Sequence, residues 1–146
     1  MLAYNPSANP LNTNEWAFPL CECIHIASFA LSIGTIGFVD LSLLGVNLVD
    51  RSPAELLRST QPWTLGGICL VIVSGLLIFS SDPVMYLHND AFRLKILALL
   101  LAILFHYFVY RRTVLNGAGI RLFAAGIVSL LLWSSTILGG VFIAFY

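Results

Sequence analysis

The 146-residue chain is 59% hydrophobic and 10% charged, with seven basic and seven acidic residues that cancel to a formal charge of zero, and its mean hydropathy is +0.93. Soluble domains are about 45–50% apolar and about 25% charged, so water is not the solvent for most of this surface. No Lys/Arg-rich run exists, which removes the electrostatic footprint of nucleic-acid binding; a bilayer core crossed by about 20 apolar residues per helix leaves room for four spans and no soluble catalytic domain.

The leader Met1–Glu15 is polar, rich in Asn and Pro, and lacks the basic residues that open a secretory signal, so the first span is expected to be retained. A leader of this composition orders only when something ties it down, which points to contact with another chain. The first predicted span runs from about Phe18 to Leu44, with Glu22 and Asp40 bracketing an apolar centre. Eighteen residues of helix rise about 27 Å, so each carboxylate can sit near one membrane face, with His25 about a turn inside. Cys21 and Cys23 lie two apart and point to different helix faces, and Cys69 sits in an apolar run; all three are expected to be structural thiols.

Val46 to Pro62, with Asp50, Arg51, Glu55 and Arg58, reads as a polar connection that includes a short interfacial helix opened by Ser52-Pro53. Span two covers about Trp63 to Phe79 and ends at the turn signal Ser80-Ser81-Asp82-Pro83. Span three covers about Phe92 to Tyr110, stopped by Arg111 and Arg112; span four, after Asn116-Gly117-Ala118-Gly119, covers about Leu122 to Phe145. The expectation is a single all-α domain over residues 1–146, an integral membrane four-helix up-down bundle. Arg51, Arg58, Arg111, Arg112 and Arg121 fall on one side and Arg93 and Lys95 on the other. The positive-inside rule makes the five-arginine side cytoplasmic and places both termini in the periplasm of a bacterial inner membrane.

Helical periodicity sorts the first span into two faces. Ala27, Ala30, Gly34 and Gly37 form a small-residue stripe suited to close contact with another helix. Glu22, His25, Ser32 and Asp40 lie roughly opposite and are expected to face the bundle interior, since a charge at mid-membrane costs at least about 2.5 kcal/mol. Span three carries a matching line, His88, Lys95, Leu99, Ala102 and His106, provided one helix starts before His88. Depth then pairs Glu22 with Lys95 and His25 with His88, while His106 and Asp40 belong to the opposite half. Asp40 is expected either to carry a proton or to pair with Arg51 or Arg121.

Two histidines on facing helices can ligate a haem iron from both sides. His25 is therefore either a ligand, with His88 or another residue, or a structural imidazole oriented by Glu22; His106 is a single candidate ligand for a haem or pigment, or a hydrogen-bond donor near the interface. Lys95 and Glu22 complete the candidate cofactor set.

Glu22-x-x-His25, Gly34-x-x-Gly37, Asp40-Leu41-x-Leu43-Leu44-Gly45, Gln61-Pro62-Trp63, Gly75-x-Leu77-x-x-Phe79 and Asn89-x-x-Phe92-x-x-Lys95 together resemble a bacterial family of four-helix inner-membrane proteins of unknown function. That family is distantly similar to the membrane domains of copper-resistance D proteins and to cytochrome b561-like bundles. The resemblance implies haem b, although the paired histidines on two helices that two haems require are absent here. The functional expectation is a small subunit of a larger membrane complex, engaged in electron transfer with haem b or a quinone. The alternatives are a non-catalytic scaffold of a respiratory or photosynthetic assembly and a proton or small-solute pathway through Glu22, His25, Asp40 and Lys95. No nucleophile beside a base and no phosphate-cradling Gly-rich loop supports an enzyme acting on its own.

Overall fold

The computed structural model describes residues 5–46 and 49–145; Met1–Tyr4 of the leader, Asn47–Leu48 of the first connection, and Tyr146 lie outside them. Every regular element among the described residues is helical.

The leader forms a 3-10 turn, Pro6–Ala8, and a short α1, Pro10–Thr13. Each opens on an asparagine whose side chain accepts a backbone N–H, followed by proline at the first helical position. Asn9 Nδ2 donates to Ser80 O at 2.6 Å and Asn12 Nδ2 to Ser81 O at 2.9 Å. The described part of the leader is thus tied to the far end of the second crossing helix of its own chain, where contact with another chain was expected.

Helix α2 spans Ala17–Leu43 and ends on a Schellman turn: Val46 N donates to Leu41 O at 3.0 Å, Gly45 N to Ser42 O at 3.2 Å, and Gly45 adopts φ +88°. Helix α3 spans Pro53–Ser81 and starts far earlier than the expected span. Its first turn is fixed by a capping box between Ser52 and Glu55, and the helix continues straight through Pro62. The proline removes the N–H that would bond Arg58 O, and the helix continues because α3 is held along α2 by packing. The presumed interfacial helix and the second span are therefore one element.

After α4, Pro83–His88, and α5, Asp90–Phe105, the chain passes through a π-helical turn, His106–Tyr110, into α6, Arg111–Asn116; α7 covers Ile120–Phe142. The third crossing helix thus runs past the two arginines expected to stop it. Four stretches, Ala17–Leu43, Pro53–Ser81, Asp90–Asn116 and Ile120–Phe145, are long and apolar enough to cross a membrane. Only 17% of the most apolar window of the third is buried within the protein. Leu, Ile, Val and Phe side chains along the outer faces therefore remain uncovered, as expected of a multi-pass protein whose outer solvent is lipid.

Helix α2 packs along α3, α5 along α7, and contacts between α2 and α7 join the two pairs. The tightest approach between α2 and α3 is at Gly67: a Cβ there would strike Ser32 Oγ and lie 3.0 Å from Ser28 O and 3.2 Å from Ser32 N. The expected small-residue stripe plays no such part. Ala27, Ala30 and Gly34 are exposed, and a Cβ on Gly34 or Gly37 would meet nothing within 4 Å. Helix α2 instead turns Cys21, Ser28, Ser32, Ile36 and Val39 inward.

Leucine at Gly67 forces two helix backbones apart and should destabilise the protein by about 1–3 kcal/mol. The same change at neighbouring Gly66, where a Cβ meets nothing within 4 Å, should be neutral or stabilising by up to about 1 kcal/mol. Thermal unfolding of both variants in detergent checks the contrast.

Candidate functional site

Two polar clusters lie inside the bundle, one toward each end. At the end that holds the chain termini, His25 on α2 meets Ser74 on α3 and Lys95 on α5. Ser74 Oγ donates back to Leu70 O at 2.6 Å, which leaves its lone pair for His25 Nδ1 at 2.9 Å. With the Nδ1 hydrogen spent on Ser74, His25 Nε2 carries a lone pair, and Lys95 Nζ lies 3.4 Å from it. The ring stacks on Phe29, centroids 6.4 Å apart. Glycines give these side chains their places. A Cβ on Gly75 would lie 3.2 Å from His25 Cε1, one on Gly139 3.0 Å from Lys95 Cα, and one on Gly140 3.5 Å from Lys95 Nζ.

The expected Glu22–Lys95 ion pair does not form. Glu22 is exposed, and the only ion pair among the described residues joins Arg93 to Asp90. His88 does not share the inward line of Lys95, Leu99, Ala102 and His106. Asn89 leaves helical geometry and caps a new helix by accepting from Phe92 N at 3.0 Å, so the register is broken. His88 is left exposed on α4 with Nδ1 on Val84 O at 2.8 Å.

Toward the arginine-bearing end, Asp40 on α2, His106 and Tyr110 on the π-helical turn, and Ser129 on α7 are all buried, Asp40, Tyr110 and Ser129 completely. Both oxygens of Asp40, Nδ1 of His106, the Tyr110 hydroxyl and the Ser129 hydroxyl lack any hydrogen-bond partner among the described residues. Tyr110 and Ser129 bring the donors nearest to the Asp40 carboxyl, yet neither reaches hydrogen-bonding geometry. The His106 and Tyr110 rings stack at 5.1 Å, 21° from parallel.

Local structure explains the convergence. The Schellman turn ends α2 one turn beyond Asp40 and holds it inside. A Cβ on Gly126 would lie 3.3 Å from Asp40 O, so α7 crosses here and delivers Ser129 one turn further along. The π-helical turn, in which Arg111 N reaches back to His106 O, changes the angular spacing enough to lay His106 over Tyr110. Among the described residues no basic side chain pairs with Asp40. The expected pairing with Arg51 or Arg121 is absent, and Arg111 is engaged by Gln61, whose amide oxygen accepts from both its Nη atoms at 3.1 and 3.2 Å.

Between the two clusters lies an apolar layer of Ile36, Ile68, Ala102 and Trp133, flanked by Phe29, Ile33 and Leu99. The three cysteines are free thiols, and among the described residues no three His, Cys, Asp or Glu side chains gather as a metal site. His25 as arranged has both ring nitrogens committed, and His88 stands on the exposed α4, so the two do not form a ready bis-histidine pocket for haem. Sequence reasoning missed Ser74, Tyr110, Ser129 and the glycines beneath Lys95. The Gly139-Gly140 pair was a usable signal for close packing, whereas Ser129 and Tyr110 carry no distinguishing local pattern.

Residues 17–146 match a family described as of unknown function, DUF6644. The chain belongs to this family. No curated protein and no solved structure matches it. Membership in DUF6644 covers every crossing helix and both polar clusters, and leaves the leader outside.

An unpaired carboxylate buried this far costs several kcal/mol, and it gains nothing from the C-terminal end of α2, whose dipole disfavours negative charge. Asp40→Asn should therefore leave stability within about 1 kcal/mol of wild type or raise it, as at residues kept for function. Val39→Ala, next along the chain and fully packed, should cost about 1–3 kcal/mol. Chemical or thermal unfolding in detergent decides; a large loss at Asp40→Asn would make the residue structural.

Proposed function

We propose that this DUF6644 member is a multi-pass protein of the bacterial inner membrane, its arginine-bearing end in the cytoplasm, that binds and releases a proton within the bilayer at Asp40. The carrying observation is the carboxyl itself: completely buried, both oxygens unpartnered among the described residues, with the equally unpartnered Tyr110 and Ser129 hydroxyls beside it. Desolvation disfavours the charged carboxyl, and a proton is the smallest ligand that discharges it. Once protonated, the carboxyl becomes a donor, for which the Tyr110 and Ser129 oxygens beside it are the acceptors. Tyr110, whose ring stacks on His106 and whose hydroxyl neighbours the carboxyl, can give or take a bond as the proton arrives or leaves.

The apolar layer at Ile36, Ile68, Ala102 and Trp133 separates Asp40 from the His25–Lys95 pair, so the arrangement supports binding and release at one end rather than a continuous water-filled channel. Val39, Leu43, Leu56 and Val114 close the arginine-bearing side, and proton exchange there requires local rearrangement, for which the π-helical turn is the weak point in the backbone ladder.

A second reading, an electron-transfer subunit, draws on the other cluster. His25 Nε2 and Lys95 Nζ converge at a half-buried point where Lys95 makes no ion pair among the described residues, a setting that suits a quinone oxygen or a haem propionate. A haem at this place needs His25 to give up Ser74 or Lys95; a free nitrogen exists at His106.

Infrared difference spectra recorded across a pH titration should show a protonated-carboxyl band that Asp40→Asn removes and His25→Gln leaves. The absence of any Asp40-dependent band would end the proton-binding reading, and a Soret band in the purified protein would favour the second.

A further inference from the structure

Away from both clusters, the arginine-bearing end carries an open depression of about 200 Å³ lined by Arg112, Thr113, Asn116, Gly117 and Arg121. Two guanidinium groups reach it, one from α6 and one from the first turn of α7, and neither makes an ion pair among the described residues. The chain reversal between the helices builds it. Asn116 Nδ2 donates to Arg112 O at 3.2 Å and Gly117 N to Thr113 O at 2.7 Å. A Cβ at Gly117 would strike Thr113 O, and Gly119 adopts φ +57°. Both glycines are needed for a turn tight enough to bring Arg121 to the same hollow as Arg112.

Two like charges at one depression repel unless an anion lies between them. Guanidinium forks match the oxygens of a phosphate, and the Thr113 hydroxyl adds a neutral donor. Depth selects the source of that phosphate. Arg112 and Arg121 stand at the ends of the third and fourth crossing stretches, where headgroups lie. Exposed Phe108 and Leu104 descend from Arg112 at one and two turns, and exposed Val128 lies two turns below Arg121. Since α5 packs along α7, an uncovered apolar surface runs from the depression toward mid-membrane.

We propose that Arg112 and Arg121 hold the phosphate of an anionic membrane phospholipid whose acyl chains lie over this surface. Native mass spectrometry of the full chain in detergent, titrated with phosphatidylglycerol or phosphatidylcholine, tests it. Wild type should retain phosphatidylglycerol preferentially. R112Q/R121Q should bind it roughly thirtyfold more weakly, each single variant roughly fivefold, and R58Q, at the same end but outside the depression, should match wild type. Excess inorganic phosphate should fail to displace the lipid. Equal retention of both lipids, or an R112Q/R121Q protein that binds like wild type, overturns the proposal. Complete displacement by inorganic phosphate also overturns it, by assigning the site to the free ion. Both arginines are exposed, and unchanged thermal unfolding of R112Q/R121Q separates a lost ligand from a lost fold.

Discussion

Inside a bilayer no water is at hand to satisfy a polar group, so each one must find a partner within the protein or remain at a cost. Helices settle this for the backbone, and most hydroxyls settle it locally. Ser28 donates to Ile24 O at 2.7 Å, Ser32 to Ser28 O at 3.0 Å, and Thr136 to Leu132 O at 3.1 Å. Thr35 and Thr64 meet across the α2–α3 contact at 2.8 Å. Against this background of satisfied groups, the Asp40, His106, Tyr110 and Ser129 cluster is the exception. The exception gains weight because its four members come from three separate helical segments.

Close backbone approach is the means by which the fold assembles both clusters. Gly67 seats α3 on α2, Gly126 seats α7 on α2 beside Asp40, and Gly139 seats α7 on α5 beside Lys95. Without a hydrophobic drive between helices in lipid, such contacts supply the van der Waals attraction that side chains cannot. The same glycines therefore hold the bundle together and set how far apart the ionisable groups stand. The apolar layer between the clusters keeps them electrostatically and chemically distinct, which is why a proton at one and an anion or acceptor at the other can be considered separately.

The inward direction of His25, Lys95, Asp40 and His106 was legible because ionisable residues on otherwise apolar helices have few places to go, and their depths followed from helical rise alone. The partners were not legible. Glu22 was matched to Lys95 by depth and charge, but the Lys95 amine lies against His25, and Glu22 stays at the surface where water solvates it better than any ion pair would. His88 was placed on the polar line by counting residues through a helix that Asn89 interrupts. The polar connection expected to run to Pro62 is instead the first half of α3, held along α2 by packing. The leader's order was assigned to another chain because nothing in its composition announces that Asn9 and Asn12 will reach the carbonyls of Ser80 and Ser81.

The amino-acid sequence alone determined that this is an all-helical chain with four helices long and apolar enough to cross a membrane, and that most of its ionisable side chains within them, His25, Asp40, Lys95 and His106 but not Glu22 or His88, turn inward. Each of these follows from the free energy of placing apolar or charged surface in lipid, which depends on residue type and spacing. Tertiary structure alone decided which inward groups meet and which are left without partners. That depends on the rotation and separation of helices about their axes, set by where glycines permit backbone contact and where a π-helical turn shifts the register. Neither is written in any single segment, because each requires two segments to be in contact.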